Sequence, residues 1–164
     1  MRRLLAPALT AIGEHWERTG CGVEVEHLTS GVIDAALRRH ARAAHPVRPR
    51  QPPVLLVAAP GEGHTLPLTA LAAALADCGT SSLLLGDLPS PALADAMRRL
   101  RPRATVLWAR WPEVADPACL RHAQAVTDAP LYPAGPGWDV RTLPAGTAAP
   151  LRTLPQAVEL LRNQ

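Results

Sequence analysis

Apolar residues in the first quarter of the chain recur at steps of three and four, the spacing that places them on one face of a helix. The first stripe ends near Arg18, and the second runs on toward Ala44. The stripes consist of Leu4, Leu5, Ala8, Leu9, Ile12 and Trp16, and then of Val25, Leu28, Val32 and Ala36. Only a few residues around Gly20 and Gly22 separate them, which predicts an antiparallel helical hairpin over residues 1–44.

A change of pattern follows a proline-rich stretch. Residues 45–53 contain four prolines without an apolar period, which predicts a stiff linker. Beyond it, short apolar runs alternate with helical segments, the signature of a parallel sheet covered on both faces. We therefore expect an α/β domain over 54–164, a flavodoxin-like (Rossmann-like) sheet of five parallel strands capped by the hairpin. The predicted strands are 54–58, 81–85, 104–109, 130–132 and a weak fifth at 148–151, and the helices 66–78, 92–100, 117–126 and 154–162.

Composition narrows the class of protein. The chain has 164 residues, of which 48% are hydrophobic and 19% charged, so one folded core without a membrane span is expected. Its net charge is +3, because 17 basic residues, all of them arginine, outnumber 14 acidic residues. A GC-rich coding bias explains this arginine usage as readily as nucleic-acid contact does, and no sustained basic arm is present. We expect no direct sequence-specific DNA binding.

The remaining sequence signals point away from secretion and hydrolysis. Cys21, Cys78 and Cys119 are odd in number and lack the CxxC spacing, so neither a disulfide framework nor a zinc site is indicated. No targeting segment is recognised, and a cytoplasmic location is expected. Hydrolase motifs are absent, which favours a binding protein over an enzyme.

The loop after the first predicted strand carries the candidate chemistry. It reads Ala-Pro-Gly-Glu-Gly-His-Thr-Leu-Pro over 59–67 and leads into a helix, the position where doubly wound folds bind ligands. It contains neither phosphate-loop motif. A carboxylate beside a histidine suits a metal site, because the acid takes one ring N–H and raises the basicity of the other nitrogen. The alternative is that His64 only caps the helix or faces solvent.

This loop resembles that of cobalamin-binding domains, whose pattern is Asp-x-His-x-x-Gly, with a Glu variant in light-responsive regulators. The resemblance implies that His64 is the lower axial ligand to cobalt and that Glu62 is its hydrogen-bonded partner. It also implies that Gly63 and Thr65 contact the cofactor.

Two later sequence motifs of the same family correspond to different residues in this chain. Its Ser-x-Leu near the third strand corresponds to Trp108-Ala-Arg110, and its Gly-Gly after the fourth strand corresponds to Gly135-Pro-Gly137. The resemblance places Trp108, Gly135 and Gly137 near the cofactor's nucleotide tail. Pro67 in place of Gly and Trp108 in place of Ser imply a narrower channel for that tail.

A further motif lies in the predicted hairpin. Nine residues separate Trp16 from the pair Glu26-His27, as in the Trp-x9-Glu-His pattern of the CarH-like adenosylcobalamin photoreceptors. An antiparallel hairpin brings Trp16 and His27 to the same end. The resemblance implies that Trp16 lies against the adenosyl group, that Glu26 bonds that group or the hairpin end, and that His27 becomes the upper cobalt ligand after photolysis. Alternatively, Trp16 is a core residue and His27 a surface residue.

The sequence thus predicts a cobalamin-binding sensor, with adenosylcobalamin as the expected cofactor and light as the expected signal. It would regulate transcription through a partner or through oligomerisation, since the DNA-binding domain of the resembled regulators has no counterpart here. Two cap helices leave an apolar side uncovered, so a homodimer or a complex with a transcription regulator is expected. The alternatives are a corrinoid methyl carrier serving separate methyltransferases and a ligand-free interaction protein.

Overall fold

The computed structural model describes Arg18, residues 23–44 and residues 51–164. The first predicted helix, including Trp16, lies outside the described residues, so the hairpin stays a prediction. The described helices are α1 (Val23–Ala44), α2 (Leu66–Asp77), α3 (Ser90–Leu100), α4 (Pro117–Gln124) and α5 (Leu154–Arg162). The strands are β1 (Val54–Ala58), β2 (Ser82–Asp87), β3 (Ala104–Trp108) and β4 (Leu131–Ala134). Short 3-10 turns occupy Pro112–Val114 and Val140–Thr142.

The four strands form one parallel sheet in the order β2-β1-β3-β4. Val54 pairs with Ser82 on one side and with Ala104 on the other, and Thr105 pairs with Leu131. Every residue of the central strand β1 is buried. Its unbroken apolar sequence follows from this position, because helices cover both faces of the sheet.

The expected fifth strand is wrong. Residues 148–151 contribute only one parallel bridge, between Leu151 and Ala134. Leu151 donates its N–H to the Pro133 carbonyl at 2.8 Å and accepts from the Gly135 N–H at 3.1 Å. Pro133 has no N–H to donate to the Ala149 carbonyl, so the ladder does not extend toward the start of this segment. The flavodoxin-like strand order is kept, with its fifth position reduced to a bridge.

Two apolar layers enclose the sheet. The layer under α2 and α5 includes Leu56, Leu68, Leu75, Val106, Tyr132 and Leu161. The layer under α3 and α4 includes Leu55, Leu93, Met97, Leu107, Leu120 and Trp138. Cys78 and Cys119 are both free thiols. No helix among the described residues is both long enough and apolar enough to cross a membrane.

Helix α1 packs on α2, and the two run in the same direction. Thr69 Oγ1 donates to Asp34 Oδ1 at 2.6 Å, and farther along both helices His40 Nε2 lies 2.6 Å from Asp77 Oδ1. Residue 27 lies roughly 10 Å along α1 ahead of Asp34, whereas α2 begins only about 4.5 Å ahead of Thr69. The first turns of α1 therefore project past the start of α2, toward the edge of the sheet where the strands end.

Candidate functional site

A tight turn at the end of β1 builds the candidate site. The Ala59 carbonyl accepts the N–H of Glu62 at 2.9 Å, which closes a turn with Pro60 and Gly61 at its two central positions. Gly61 has a φ of +80°, as the third position of a type II turn requires, and proline suits the second position. The sequence Pro-Gly thus directs the Glu62 side chain back into the protein.

Glu62 is buried, with 2% of its surface exposed, and its carboxylate is fully engaged. Oε1 accepts the backbone N–H of His64 at 2.7 Å and lies 2.7 Å from the Nδ1 atom of the same residue. Oε2 accepts the backbone N–H of Arg110 at 2.5 Å. A buried carboxylate needs such partners, because an unpaired charge in the protein interior is strongly unfavourable.

These contacts keep the carboxyl ionised. Burial raises the pKa of Glu62, but the hydrogen bonds from the Arg110 N–H and from the backbone and ring of His64 lower it by more. The resulting pKa lies below the ordinary value of 4.5. Glu62 is therefore a carboxylate at neutral pH and acts as a hydrogen-bond acceptor only.

That charge fixes the tautomer of His64. Because the carboxylate only accepts, Nδ1 of His64 carries a proton, and in the neutral imidazole Nε2 then holds the lone pair. The His64 side chain is 60% exposed, and the described part of the chain offers no hydrogen-bond partner to Nε2. The arrangement is the carboxylate–histidine pair that orients imidazole ligands in metal sites.

The loop after β3 forms the other side of the site. The Trp111 ring meets the His64 ring edge to face, with centroids 6.2 Å apart and planes at 79°. The Arg110 guanidinium lies 4.9 Å from the centroid of the Trp111 ring, within the range of a cation–π contact. Since β2 and β3 flank β1 on opposite sides, the loops after β1 and β3 meet at the topological switch point, where doubly wound sheets bind ligands.

Trp108, Gly135 and Gly137 also come together at this edge. A Cβ atom on Gly135 would lie 2.9 Å from ring carbons of Trp108, and one on Gly137 would lie 2.5 Å from the Trp111 carbonyl oxygen. Gly135 has a φ of +98°. The two glycines are therefore required by close packing of the β3 and β4 ends.

Gly63 and Thr65, the two small residues of the β1 loop, make few side-chain contacts. Gly63 is exposed, and a Cβ there would touch nothing within 4 Å. Thr65 precedes α2 and makes no side-chain capping bond, while its carbonyl accepts the N–H of Leu68 at 3.0 Å. Their predicted contacts with a cofactor stay predictions.

The predicted hairpin residues are only partly described. His27 lies in the first turns of α1, its side chain 74% exposed, with Nδ1 2.9 Å from the Val23 carbonyl and 3.1 Å from Glu26 Oε2. Glu26 accepts from Ser30 Oγ at 2.7 Å. Trp16 lies outside the described residues. The projection of α1 beyond α2 places His27 on the same side of the molecule as His64.

Metal-binding side chains do not cluster here. Across residues 23–44 and 51–164, no three His, Cys, Asp or Glu side chains converge as a metal cage would require. The exposed Nε2 of His64 is therefore available as a single ligand and not as part of a metal cage built by these residues.

Two contacts of the site, those of Arg110 and Trp111, are not predicted by the sequence. Arg110 acts through its backbone N–H, which no residue pattern reveals. Trp111 is 49% exposed and packs against His64. In a chain with four tryptophans and no phenylalanine, an indole in the loop shortly after β3 was the available sequence signal.

The fold is similar to a solved structure, that of a Methanosarcina barkeri monomethylamine corrinoid protein. The similarity has a TM-score of 0.67 and covers 94% of this chain and 77% of that chain. The two structures share a Rossmann-like α/β architecture. Sequence identity is 11%, so the likeness concerns the fold alone. No protein-family model and no curated protein matches this chain.

Proposed function

We propose that this protein binds a corrinoid cofactor, with His64 as the lower ligand to cobalt. One observation carries the proposal: buried Glu62 holds the Nδ1 proton of His64, which leaves Nε2 exposed as a lone-pair donor at the switch point of the sheet. The fold, similar to that of a corrinoid protein, adds independent support.

Each residue of the site has a separate role in the proposed binding of the cofactor. Glu62 raises the basicity of His64 and fixes its ring plane, and the Arg110 N–H holds Glu62 in turn. Trp111 offers an exposed aromatic wall beside His64 for a flat macrocycle. His27, Glu26 and Trp16 belong to the element proposed to cover the opposite face of the ring.

Light sensing is the first of two proposed uses of the cofactor. When bound, adenosylcobalamin supplies a cobalt–carbon bond that light breaks, and methylcobalamin supplies a transferable methyl group. The Trp16, Glu26 and His27 spacing supports the sensor, since a carrier needs its upper face open to partner enzymes. In this role the protein is a regulator and not an enzyme, and its output is a change of assembly or of a transcription regulator's activity.

A methyl carrier is the second use, and the corrinoid neighbour supports it equally. Both uses require cobalamin as the ligand, and they differ in what the upper face does. A sensor closes that face with α1 and the residues before it. A carrier exposes it in turn to methyl donor and acceptor enzymes.

Cobalamin uptake by the purified protein tests the proposal. We expect methylcobalamin and adenosylcobalamin to co-elute with the protein in gel filtration in the dark, with a visible spectrum in which histidine has replaced the cofactor's own base. Failure of both cobalamins to co-elute would overturn the proposed function. Illumination then separates the two uses, because a sensor changes its elution volume after light and a carrier does not.

A further inference from the structure

The side chain of Trp108 is packed at the end of β3, beside the candidate site. It ends β3 and packs against the layer between the sheet and helices α2 and α5, which includes Leu68, Ala134 and Leu151. Its ring lies so close to Gly135 that a Cβ on that residue would be 2.9 Å away. The indole therefore fills the end of this layer beside the start of the loop that carries His64, where the Ala59 N–H donates to the Trp108 carbonyl at 2.8 Å.

The indole N–H of Trp108 is buried and has no hydrogen-bond partner among the described residues. Trp138, by contrast, donates its N–H to the Leu107 carbonyl at 3.1 Å. An unpaired buried donor destabilises a protein, so Trp108 is held in place by packing and not by its polar atom. Trp108 therefore contributes to the structure by filling space and not by hydrogen bonding.

Trp138 closes the second layer in the same way. It is 1% exposed and belongs to the cluster under α3 and α4, on the opposite face of β3 from Trp108. Each layer beside the strand ends is thus filled by an indole. Beside the end of β3, a planar base of comparable size would have to displace one of these tryptophans, and close-packed interiors do not yield such volumes readily.

This filling bears on how a corrinoid is held. In free cobalamin the lower ligand is the cofactor's own base, which hangs on a flexible nucleotide arm. If His64 takes that coordination position, the base has to leave cobalt and find another place. Entry into the protein beside β3 is opposed by Trp108 on one face and by Trp138 on the other.

We propose that this protein recognises the corrin ring and keeps the nucleotide base outside the fold, so that it accepts base-free corrinoids at least as well as cobalamin. The inference rests on the proposed function and assigns Trp108 as a residue that determines which corrinoid is preferred. Its physical basis is a balance of two effects. The base of cobalamin competes with His64 for cobalt, and no burial of the arm compensates for that competition.

Binding of two cofactors with the same upper group tests the proposal. We would titrate the wild type in the dark with methylcobalamin and methylcobinamide and obtain each Kd from visible spectra. We expect the cobinamide to bind as tightly as the cobalamin or more tightly. A preference for methylcobalamin of about tenfold or more, which corresponds to about 1.4 kcal/mol, would overturn the inference and leave the proposed function standing. If neither compound binds, both fall.

Two variants of Trp108 separate volume from polarity. Trp108→Ser opens the layer, and we expect the ratio of the two Kd values to shift toward methylcobalamin by about tenfold. Trp108→Phe keeps most of the volume without the N–H, and we expect it to keep the wild-type ratio. A ratio that changes in the Phe variant as much as in the Ser variant would contradict a volume-filling role. Should the Ser variant fail to fold, the wild type and the Phe variant still decide.

Discussion

One carboxylate oxygen of Glu62 meets both the backbone N–H and the ring Nδ1 of His64, each at 2.7 Å. Because Glu62 lies two positions before His64, one oxygen reaches both atoms, so the spacing Glu-x-His is itself part of the site. The other oxygen of Glu62 accepts from Arg110, 48 residues later in the chain. Glu62 thereby ties the loop after β1 to the loop after β3.

Replacing His64 by alanine should remove the lower ligand. We expect bound methylcobalamin to show a histidine-ligated spectrum in the wild type, and His64→Ala to show either the spectrum of the free, base-on cofactor or no binding. His122→Ala is a matched control, because His122 is an exposed histidine on α4. Identical base-on spectra for the wild type and His64→Ala would show that His64 does not bind cobalt.

Glu62→Gln should weaken both the fold and the site. The amide nitrogen would turn a donor toward the N–H of Arg110 or of His64, leaving buried donors unsatisfied. We expect a loss of about 1–3 kcal/mol in the free energy of unfolding. For a chain of this size, each kcal/mol lowers Tm by about 2–4 °C. Affinity for cobalamin should fall by about 10–100-fold, as for other partners of metal-ligating histidines.

Glu113→Gln provides the control for this substitution, since Glu113 is an exposed acid on the neighbouring 3-10 turn. Thermal melts and cobalamin titrations of the two variants are compared with the wild type. Equal Tm values for Glu62→Gln and Glu113→Gln would refute a buried anchoring role for Glu62.

The stabilising effect of Glu62 should depend on pH in a defined direction. Its pKa in the folded protein lies below the ordinary value of 4.5, so the unfolded state takes up the proton first as the pH falls. The stabilisation is complete above the ordinary value and is lost as the pH falls through the lowered one. Urea unfolding of the wild type and Glu62→Gln should therefore show a difference near neutral pH that shrinks below pH 4.5. A difference that grows on acidification would contradict this sign.

Illumination tests the proposed role of His27. We expect the adenosylcobalamin complex to give a photoproduct with two histidine ligands, and His27→Ala to give one with water in the upper position. His40→Ala is the control, because His40 lies on the same helix at its other end, beside Asp77. An identical photoproduct in the wild type and His27→Ala would remove the main reason for preferring a photoreceptor to a carrier.

The apolar side of α1 should mediate assembly with a second copy. Leu28 and Val32 are each 70% exposed and lie one helical turn apart. We expect a homodimer by light scattering and a shift toward monomer in the double variant Leu28→Glu, Val32→Glu. Val140→Glu is the control, because Val140 is also an exposed valine but lies outside α1. A wild type that stays monomeric at high micromolar concentration, with and without cobalamin, would argue against this interface.

Local sequence determined much of this protein. The alternation of apolar runs and helical stripes predicted the four strands and the helices after them within a few residues, because periodicity is set by backbone geometry. The Glu-x-His spacing is equally local, and the hydrogen bond between Glu62 and His64 was predicted from it, whereas their role toward a cofactor stays a prediction. The only strand predicted in error was the weak one near Leu151, where Pro133 limits the pairing.

Tertiary structure decided what depends on residues distant in sequence. The bond from the Arg110 N–H to Glu62, the packing of Trp111 on His64 and the filling of both layers by Trp108 and Trp138 join segments that only sheet register brings together. The direction of α1 relative to α2 is likewise shown by two contacts between distant residues, Asp34 with Thr69 and His40 with Asp77. Patterns along the chain record which face of an element is buried, but they do not record which other element covers it. That choice is made by packing.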